Sequence, residues 1–337
     1  MIIKVLGINS GLGVSLYPFR PYLIGNIETR RVFHTKKDEQ WQSNFTKPLH
    51  KDFRTGIEWA KTQKPNVVIG SPDCGAGSVL RYSRAKELGD NNKNKSLLEF
   101  IEGVKTLKPK FFLFENLEGL FKSFKEKKFD KVFKKYHLIK YNVPVSVFGN
   151  SQTTRKRLVV VGIRKSLPEQ DWNDIFSIDP ELNNPKTCDR LYGDLMDFTS
   201  SSIGHVRELP GNSITMYAGY KITIAEATRH WQTELEGKRR WEVKGRKFIN
   251  APGVYRNRAE DFPNTARKAS RQFDHHGKML TPRQLARIQG VPDSFKIFIS
   301  ESNLGYWINK GRLTVTKSPP MEISTWFRDC LERYMEL

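Results

Sequence analysis

The chain has 337 residues, of which 38% are apolar and 12% aromatic, and this composition supports at least one well-packed core and excludes a disordered tail. Its 57 Lys and Arg residues against 36 Asp and Glu residues give a net charge of +21. Because a positive field of this size attracts polyanions, nucleic acid is the first partner to consider. A lysine-rich solubilising surface is the alternative explanation of the charge.

The three cysteines are far apart in the sequence and form no Cys-x-x-Cys pair, so neither a disulfide framework nor a metal site is indicated. The N-terminal apolar stretch is too short for a signal peptide, and no apolar run approaches the roughly 18 residues that span a bilayer. We therefore expect a protein without a bound metal or a membrane partner, in a reducing cytoplasm.

Short apolar runs recur at intervals typical of strands that alternate with helices. They lie at residues 2–8, 23–27, 67–69, 111–114, 137–141 and 158–163. The stretches 95–107 and 121–135 between them have helical spacing and many charges. This order predicts an α/β fold with a mostly parallel sheet that is covered by helices on both faces.

The alternating pattern fades after residue 165, which predicts a domain boundary there. Residues 166–262 have no regular period and are rich in Asn, Pro, Trp, Lys and Arg, so we expect them to form a second, smaller domain. Helical patterns return at 281–289 and 323–334. We expect residues 263–337 to complete the first domain, which begins with residues 1–165.

A glycine-containing loop follows the first strand, where glycines allow a nucleotide to approach backbone amides. The loop consists of Asn9, Ser10, Gly11, Leu12 and Gly13. Glu28 ends the second strand, at the place where an acidic side chain typically binds ribose hydroxyls. Asp52 is a candidate acceptor for an adenine amine, and a helix N-cap is its alternative role.

Cys74 follows the apolar run 67–69 inside a Gly, Pro and Ser-rich turn, which is where open α/β sheets carry their chemistry. An inert, buried thiol is the alternative. Glu115 directly follows four apolar residues, so loss of hydration at the sheet edge favours its protonated form and a role as general acid. A structural, salt-bridged glutamate is the alternative.

Arg155 and Arg157 lead into the last predicted strand. Strand alternation places both on one face and Lys156 on the other, so the two guanidinium groups can converge on one anionic or carbonyl-bearing target. A basic surface turn is the alternative interpretation.

These segments, in this order, resemble the DNA cytosine-5 methyltransferase family. The similarity is carried by residues 11–13, Glu28, Asp52, the cysteine loop 70–78, residues 114–117, residues 155–157 and residues 280–295. The last segment, Leu-Thr-Pro-Arg-Gln-Leu-Ala-Arg-Ile-Gln-Gly-Val-Pro-Asp-Ser-Phe, is similar to the family's ninth motif along its whole length. It is the most specific part of the resemblance.

The resemblance implies a Rossmann-like fold that binds S-adenosylmethionine and a target-recognition domain that binds double-stranded DNA. Cys74 would add to C6 of a flipped cytosine, Glu115 would reach N3, and the two arginines would orient the base. Further implied cofactor contacts are Pro72, Leu98, Lys317 and Ser318. The implied DNA contacts are Ser78, Arg81 and Arg84 in a closing loop, and Lys238, Arg239, Arg240, Lys244 and Arg246 in the recognition domain. The resemblance also implies a monomer in the cytoplasm of a prokaryotic or phage-infected cell.

Several positions depart from the family pattern. Asp73 and Gly75 flank the cysteine where the family has proline and glutamine, and Lys317 stands where it has asparagine. A lysine beside a sulfonium cofactor suggests, as one hypothesis, a cofactor variant with a carboxylate on the transferred carbon; its alternative is a lysine that faces solvent or phosphate. Two other classes also stay open, an RNA cytosine methyltransferase and a catalytically silent DNA-binding relative.

Overall fold

The computed structural model of the chain describes most of the predicted first domain and parts of the rest. It describes residues 2–11, 13–29, 37–72, 95–117, 119, 126–195, 214–217, 220–223, 240–243, 246–249, 254–256, 263, 271–273, 280, 282–297, 315, 316 and 318–336. For residues 37–39 and the strands between 214 and 273, the backbone alone is described.

Seven of the described strands form one sheet, with the order β3-β2-β1-β4-β5-β7-β6. The strands are β1 (Val5–Ile8), β2 (Leu23–Ile27), β3 (Leu49–His50), β4 (Val67–Gly70), β5 (Phe111–Asn116), β6 (Tyr136–Pro144) and β7 (Lys156–Arg164). Strands β1 to β5 pair in parallel, whereas β7 is antiparallel to both of its neighbours. Each apolar run predicted as a strand lies in this sheet, and the predicted α/β class is confirmed.

Helices flank the sheet and alternate with its strands. They are α1 (Lys37–Gln42), α2 (Phe53–Gln63), α3 (Lys95–Leu107), α4 (Glu126–Val132), α5 (Trp172–Ile175) and, at the C-terminus, α8 (Met321–Glu336). A 3-10 helix at Val14–Phe19 follows the first loop. Helix α3 buries Leu97, Phe100, Ile101 and Val104, whose spacing is that of one helix face.

The core lies between the helices and the central strands. All residues of β4 and β5 are buried, as expected for strands covered on both faces. The rings of Phe112, Phe114, Phe129 and Phe133 contact one another in tilted or edge arrangements with centroids 4.8–5.3 Å apart. Gly70, the last residue of β4, allows the Phe100 ring to approach so closely that a Cβ at this position would overlap it.

The chain divides into two compact units. The first comprises residues 1–150, 155–184 and 318–337, and the second comprises 151–154 and 185–317. The first boundary differs from the expected one at 165, because Trp172 and Phe176 pack against Phe111 in the first unit. Residues 280–297 also differ from the expectation, because they group with the second unit, where Arg287 donates to Leu191 O.

The second unit contains helix α6 (Cys188–Tyr192), helix α7 (Pro282–Ile288) and, within its described residues, three two-stranded sheets. These sheets pair β8 (Ile214–Tyr217) with β9 (Tyr220–Thr223), β10 (Arg240–Val243) with β11 (Arg246–Ile249), and β12 (Val254–Arg256) with β13 (Arg271–Phe273). Arg283 of α7 is buried and donates to Pro292 O and Phe295 O. In this way the ninth-motif segment is folded around one buried guanidinium. In the part of the chain that the structure describes, no helix has the length and apolar character needed to cross a membrane.

Candidate active site

The candidate site lies where the neighbouring strands β4 and β5 end. Gly70 pairs with Phe114, so Pro72 and Asn116 extend beyond the same edge of the sheet. Asn116 Nδ2 donates to Pro72 O at 3.0 Å, and Asn116 Oδ1 accepts from the Leu117 amide at 2.8 Å. The buried amide of Asn116 therefore holds the start of the cysteine loop against the end of β5. Cys74, two residues beyond Pro72, lies outside the described residues.

Glu115 forms an ion pair with Arg157, with 2.8 Å between Glu115 Oε1 and Arg157 Nε. The two side chains are only 10% and 13% exposed. They lie on the antiparallel neighbours β5 and β7, where Glu115 pairs with Val159. A guanidinium at this distance favours the ionised carboxylate. Loss of hydration led us to expect the protonated form, whereas this pairing, a salt bridge of the kind considered as the alternative, acts in the opposite direction.

Arg155 and Arg157 contact different groups. Arg155 is buried, and its Nη2 donates to Ser318 O at 3.2 Å, next to the start of α8. Arg157 contacts Glu115 instead. Strand alternation predicted a common target for the two guanidinium groups, but among the described residues their partners lie on separate elements.

The loop after β1 is held by buried polar contacts. Gly11 N donates to Glu28 Oε2 at 2.6 Å, and Ser10 Oγ donates to Asn26 Oδ1 at 2.9 Å. Asn9 and Gly11 have positive φ angles of 52° and 72°. Gly13 has a φ of 91°, and a Cβ there would overlap the Phe45 ring. The glycines predicted for a close backbone approach are thus required by the conformation of the loop itself. Leu12 lies outside the described residues.

Glu99 is a polar residue of this region that the sequence did not single out. It is 7% exposed on α3, and its Oε2 accepts from Asn9 Nδ2 at 2.8 Å and from Thr29 Oγ1 at 2.6 Å. The signal available in the sequence was an acidic residue next to the apolar face of a helix. The neighbouring Leu98 is 52% exposed in the first turn of α3, which exposes apolar surface near the loop.

Asp52 is the N-cap of α2. Its Oδ1 accepts from Thr55 N at 2.9 Å, and this hydrogen bond lowers the pKa of the exposed carboxyl group. The capping role considered from the sequence is therefore present. Glu28 N donates to His50 O at 2.8 Å, so the ends of β2 and β3 bring Glu28 and Asp52 to the same edge of the sheet. The adenine contact of Asp52 stays a prediction.

The remaining predicted site residues are not described at side-chain level. Cys74, Ser78, Arg81, Arg84, Lys238, Arg239, Lys244 and Lys317 lie outside the described residues, and for Arg240 in β10 and Arg246 in β11 the backbone alone is described. Within the described ranges, no three His, Cys, Asp or Glu side chains form a group that could hold a metal ion.

The sequence of this chain is similar to a known protein family and to individual members of it. Residues 26–308 match the family of C-5 cytosine-specific DNA methylases. The type II methyltransferase M.MthTI of Methanothermobacter thermautotrophicus is 27% identical over 278 residues, which are 74% of this chain and 76% of that protein.

Two solved structures share the fold at low sequence identity. A candidate DNA modification methyltransferase encoded within an E. coli prophage has a TM-score of 0.66 and 18% identity, over 99% of this chain and 100% of that one. The S. pombe Dnmt2 methyltransferase has a TM-score of 0.63 and 13% identity, over 99% of both chains.

Proposed function

The chain belongs to the C-5 cytosine-specific DNA methylase family, and on that basis we propose that it methylates C5 of cytosine in double-stranded DNA through a covalent adduct between Cys74 and C6. The observation that carries the proposal is the ion pair of Glu115 with Arg157, next to the hydrogen bond that ties the cysteine loop to β5. These contacts support the proposal, because they bring Glu115 and Pro72, which precedes the cysteine by two residues, to adjacent strand ends.

The reactivity of cytosine explains why such groups are needed together. C5 is a poor nucleophile until a thiolate adds to C6 and converts the ring into an enamine. In the proposed reaction the Cys74 thiolate forms the sulfur–C6 bond, and loss of the C5 proton later breaks it and releases Cys74. S-adenosylmethionine supplies, when bound, an electrophilic methyl group. Because C5 and C6 are stacked in a duplex, the base must be flipped into the site.

Glu115 is the proposed proton donor to N3 of the ring, where negative charge develops as sulfur adds. Arg157 donates to the carboxylate that remains after this transfer. Glu115 has to hold a proton when the base enters the site, and the guanidinium stabilises the carboxylate that donation to N3 leaves behind. Arg157 therefore acts through Glu115 as a positioning residue.

The residues around the first loop fit the nucleoside part of S-adenosylmethionine. Glu28 is a buried carboxylate at a strand end, and such an acceptor suits the two hydroxyl groups of a ribose. The Gly11 amide orients that carboxylate, and the exposed Leu98 offers apolar surface to an adenine ring. These contacts and that of Asp52 with the adenine amine are proposals for the cofactor site.

Analysis of the modified nucleoside tests the proposed function. Purified protein is incubated with S-adenosylmethionine and either duplex DNA or transfer RNA, and the nucleosides are identified by mass spectrometry. We expect 5-methylcytosine from the duplex at a rate well above that from RNA at the same salt concentration. Product from RNA alone would establish the RNA methyltransferase alternative, and binding without product would favour the silent relative. A carboxymethyl mass increment with a carboxylated cofactor would favour the cofactor variant suggested by Lys317.

Asn116→Ala is expected to slow catalysis by displacing the cysteine loop. The substitution leaves the Pro72 carbonyl without its buried donor, which costs about 1–3 kcal/mol. We expect a lower kcat with little change in KM for DNA, together with a lower denaturation midpoint. Asn142→Ala, at an exposed position of β6, is the matched control and should behave like the wild type. An unchanged kcat in Asn116→Ala would contradict the positioning role.

A further inference from the structure

A row of lysines lines the edge of the sheet that is opposite to the candidate active site. We name it the basic rim and define it as Lys4, Lys64, Lys108, Lys110, Lys135 and Lys165. Lys4 precedes β1, Lys64 precedes β4, Lys110 precedes β5, Lys135 precedes β6, and Lys165 follows the reversed strand β7. Each of five adjacent strands in the order β1-β4-β5-β7-β6 thus has a lysine at or near this edge.

Backbone hydrogen bonds show that these positions are neighbours in space. Asn66 N donates to Lys4 O at 3.1 Å, and Phe111 N donates to Asn66 O at 3.0 Å. Across the other half of the edge, Arg164 N donates to Lys110 O at 2.9 Å and Lys165 N donates to Lys135 O at 3.0 Å. The rim is therefore one continuous row within the first unit.

The lysines of the rim face solvent without a carboxylate partner in the part of the chain that the structure describes. Five of the six are exposed, and Lys110 is half-buried. None of them forms an ion pair with a described carboxylate group. The exposed acidic residues of α2 and α3, which end beside Lys64 and Lys108, are engaged elsewhere, Glu58 with Lys61 and Glu102 with Thr106.

Two of these lysines occupy backbone conformations that disfavour them. Lys64 and Lys108 follow α2 and α3 with positive φ angles of 50° and 49°. Their amides donate to Ala60 O and Val104 O, which closes each helix end in the manner usually reserved for glycine. A residue with a Cβ lowers the free energy of unfolding by about 1 kcal/mol when it adopts the left-handed region, so glycine or asparagine at either position would make the protein more stable. Attraction between the lysine ammonium groups and the negative C-terminal ends of the helices offsets part of this cost. This attraction alone does not explain why a lysine occupies the position at both helix ends.

We propose that the basic rim binds the phosphate backbone of a second DNA duplex segment, an inference that rests on the proposed action on duplex DNA. Strands about 4.8 Å apart make the row about 19 Å long, which is the length of about five or six base pairs along the axis of a duplex. The exposed large apolar side chains among the described residues are all aliphatic, which favours a duplex over unpaired bases that stack on exposed aromatic rings. Ile2 is the one such side chain beside the rim, and a single apolar residue does not support membrane insertion.

The rim and the candidate active site lie at opposite ends of the strands, so one straight duplex does not contact both. Lys110 precedes β5 and Glu115 lies near its other end, about 17 Å away along the strand. A duplex that places its cytosine near Glu115 therefore leaves the rim available to another segment. The inferred result is a protein that holds two DNA segments at once.

A bridging experiment tests this inference. A DNA duplex of mixed sequence is tethered to beads, and capture of a second, fluorescent duplex by the full-length protein is measured at increasing salt. The test variant is Lys64→Asn/Lys108→Asn, which removes two charges while placing a residue tolerant of positive φ at each position. We expect the denaturation midpoint to be unchanged or higher and capture to fall at least fivefold. The slope of the logarithm of the binding constant against the logarithm of the salt concentration should become shallower by about 0.9 for each phosphate that the variant no longer neutralises.

The matched control is Lys127→Gln/Lys128→Gln, which removes two exposed charges in the first turn of α4, about 10 Å along the helix from the rim. It should capture the second duplex like the wild type. Wild-type capture that persists in the Asn variant, or that falls equally in the control, would overturn the inference. Rim-dependent binding to anionic lipid vesicles without duplex capture would also overturn it. Capture of the second duplex needs no methyl transfer. Capture without formation of 5-methylcytosine would therefore contradict only the proposed function, and formation of 5-methylcytosine without capture would contradict only this inference.

Discussion

Replacing Cys74 with serine is expected to abolish covalent trapping on DNA and to reduce methyl transfer by about 10⁴-fold or more. A thiolate is a far better nucleophile toward C6 than a serine hydroxyl, which stays protonated at neutral pH. Duplex DNA that contains 5-fluorocytosine provides the measurement, because fluorine at C5 prevents the proton loss that would release the enzyme. We expect a band resistant to denaturing gel electrophoresis with the wild type and none with Cys74→Ser.

The other two cysteines provide matched controls. Cys188 and Cys330 are buried in the structure, and burial raises the pKa of the Cys330 thiol. A buried neutral thiol is a poor nucleophile, so Cys188→Ala and Cys330→Ala should keep the trapped adduct. An adduct that survives Cys74→Ser and disappears in one of these variants would assign the nucleophile to another residue and contradict the proposed mechanism.

Glu115→Gln is expected to lower kcat by about 10²–10⁴-fold, the usual contribution of a positioned acid or base. Glutamine keeps the shape of the side chain but cannot donate a carboxylic proton to N3. The KM for DNA should change little, because the interaction develops as sulfur adds to C6. Release of tritium from C5 of cytosine into water reports on that addition, and it should slow in parallel with methyl transfer.

Arg157 provides the companion variants for Glu115. Arg157→Ala would leave the carboxylate of Glu115 buried without its cation, a change that costs about 3–5 kcal/mol for buried pairs. Arg157→Lys restores the charge without the planar guanidinium, so stability should largely recover while kcat recovers only in part. Glu115→Gln with wild-type kcat would show that Glu115 is structural, which is the alternative considered from the sequence.

The positions of the candidate groups along the chain were predictable because they depend on local pattern. The apolar runs predicted Cys74 after the end of one strand and Glu115 at the end of the next, since buried strands have a recognisable length and are followed by turn residues. The role of the glycines in the first loop was also predictable, because Gly11 and Gly13 have positive φ values that favour glycine. The sequence similarity of residues 280–295 identified the family before any contact was known.

Which side chains meet was not predictable, because a contact depends on strand order and direction. The antiparallel orientation of β7 sets the register in which Arg157 reaches Glu115, while Arg155 reaches Ser318. Strand alternation predicts the face of a side chain and carries no information about its partner. Glu99 was missed for the same reason, since its partners lie 70 and 90 positions away.

The sequence by itself determined the α/β class and the family, and it singled out the candidate catalytic residues, because hydrophobic period, turn residues and motifs are local properties of a chain. The tertiary structure alone decided that Glu115 is paired with Arg157, that Asn116 ties the cysteine loop to β5, and that lysines scattered from 4 to 165 form one row. These features arise from the sheet order, which brings distant segments within hydrogen-bonding distance.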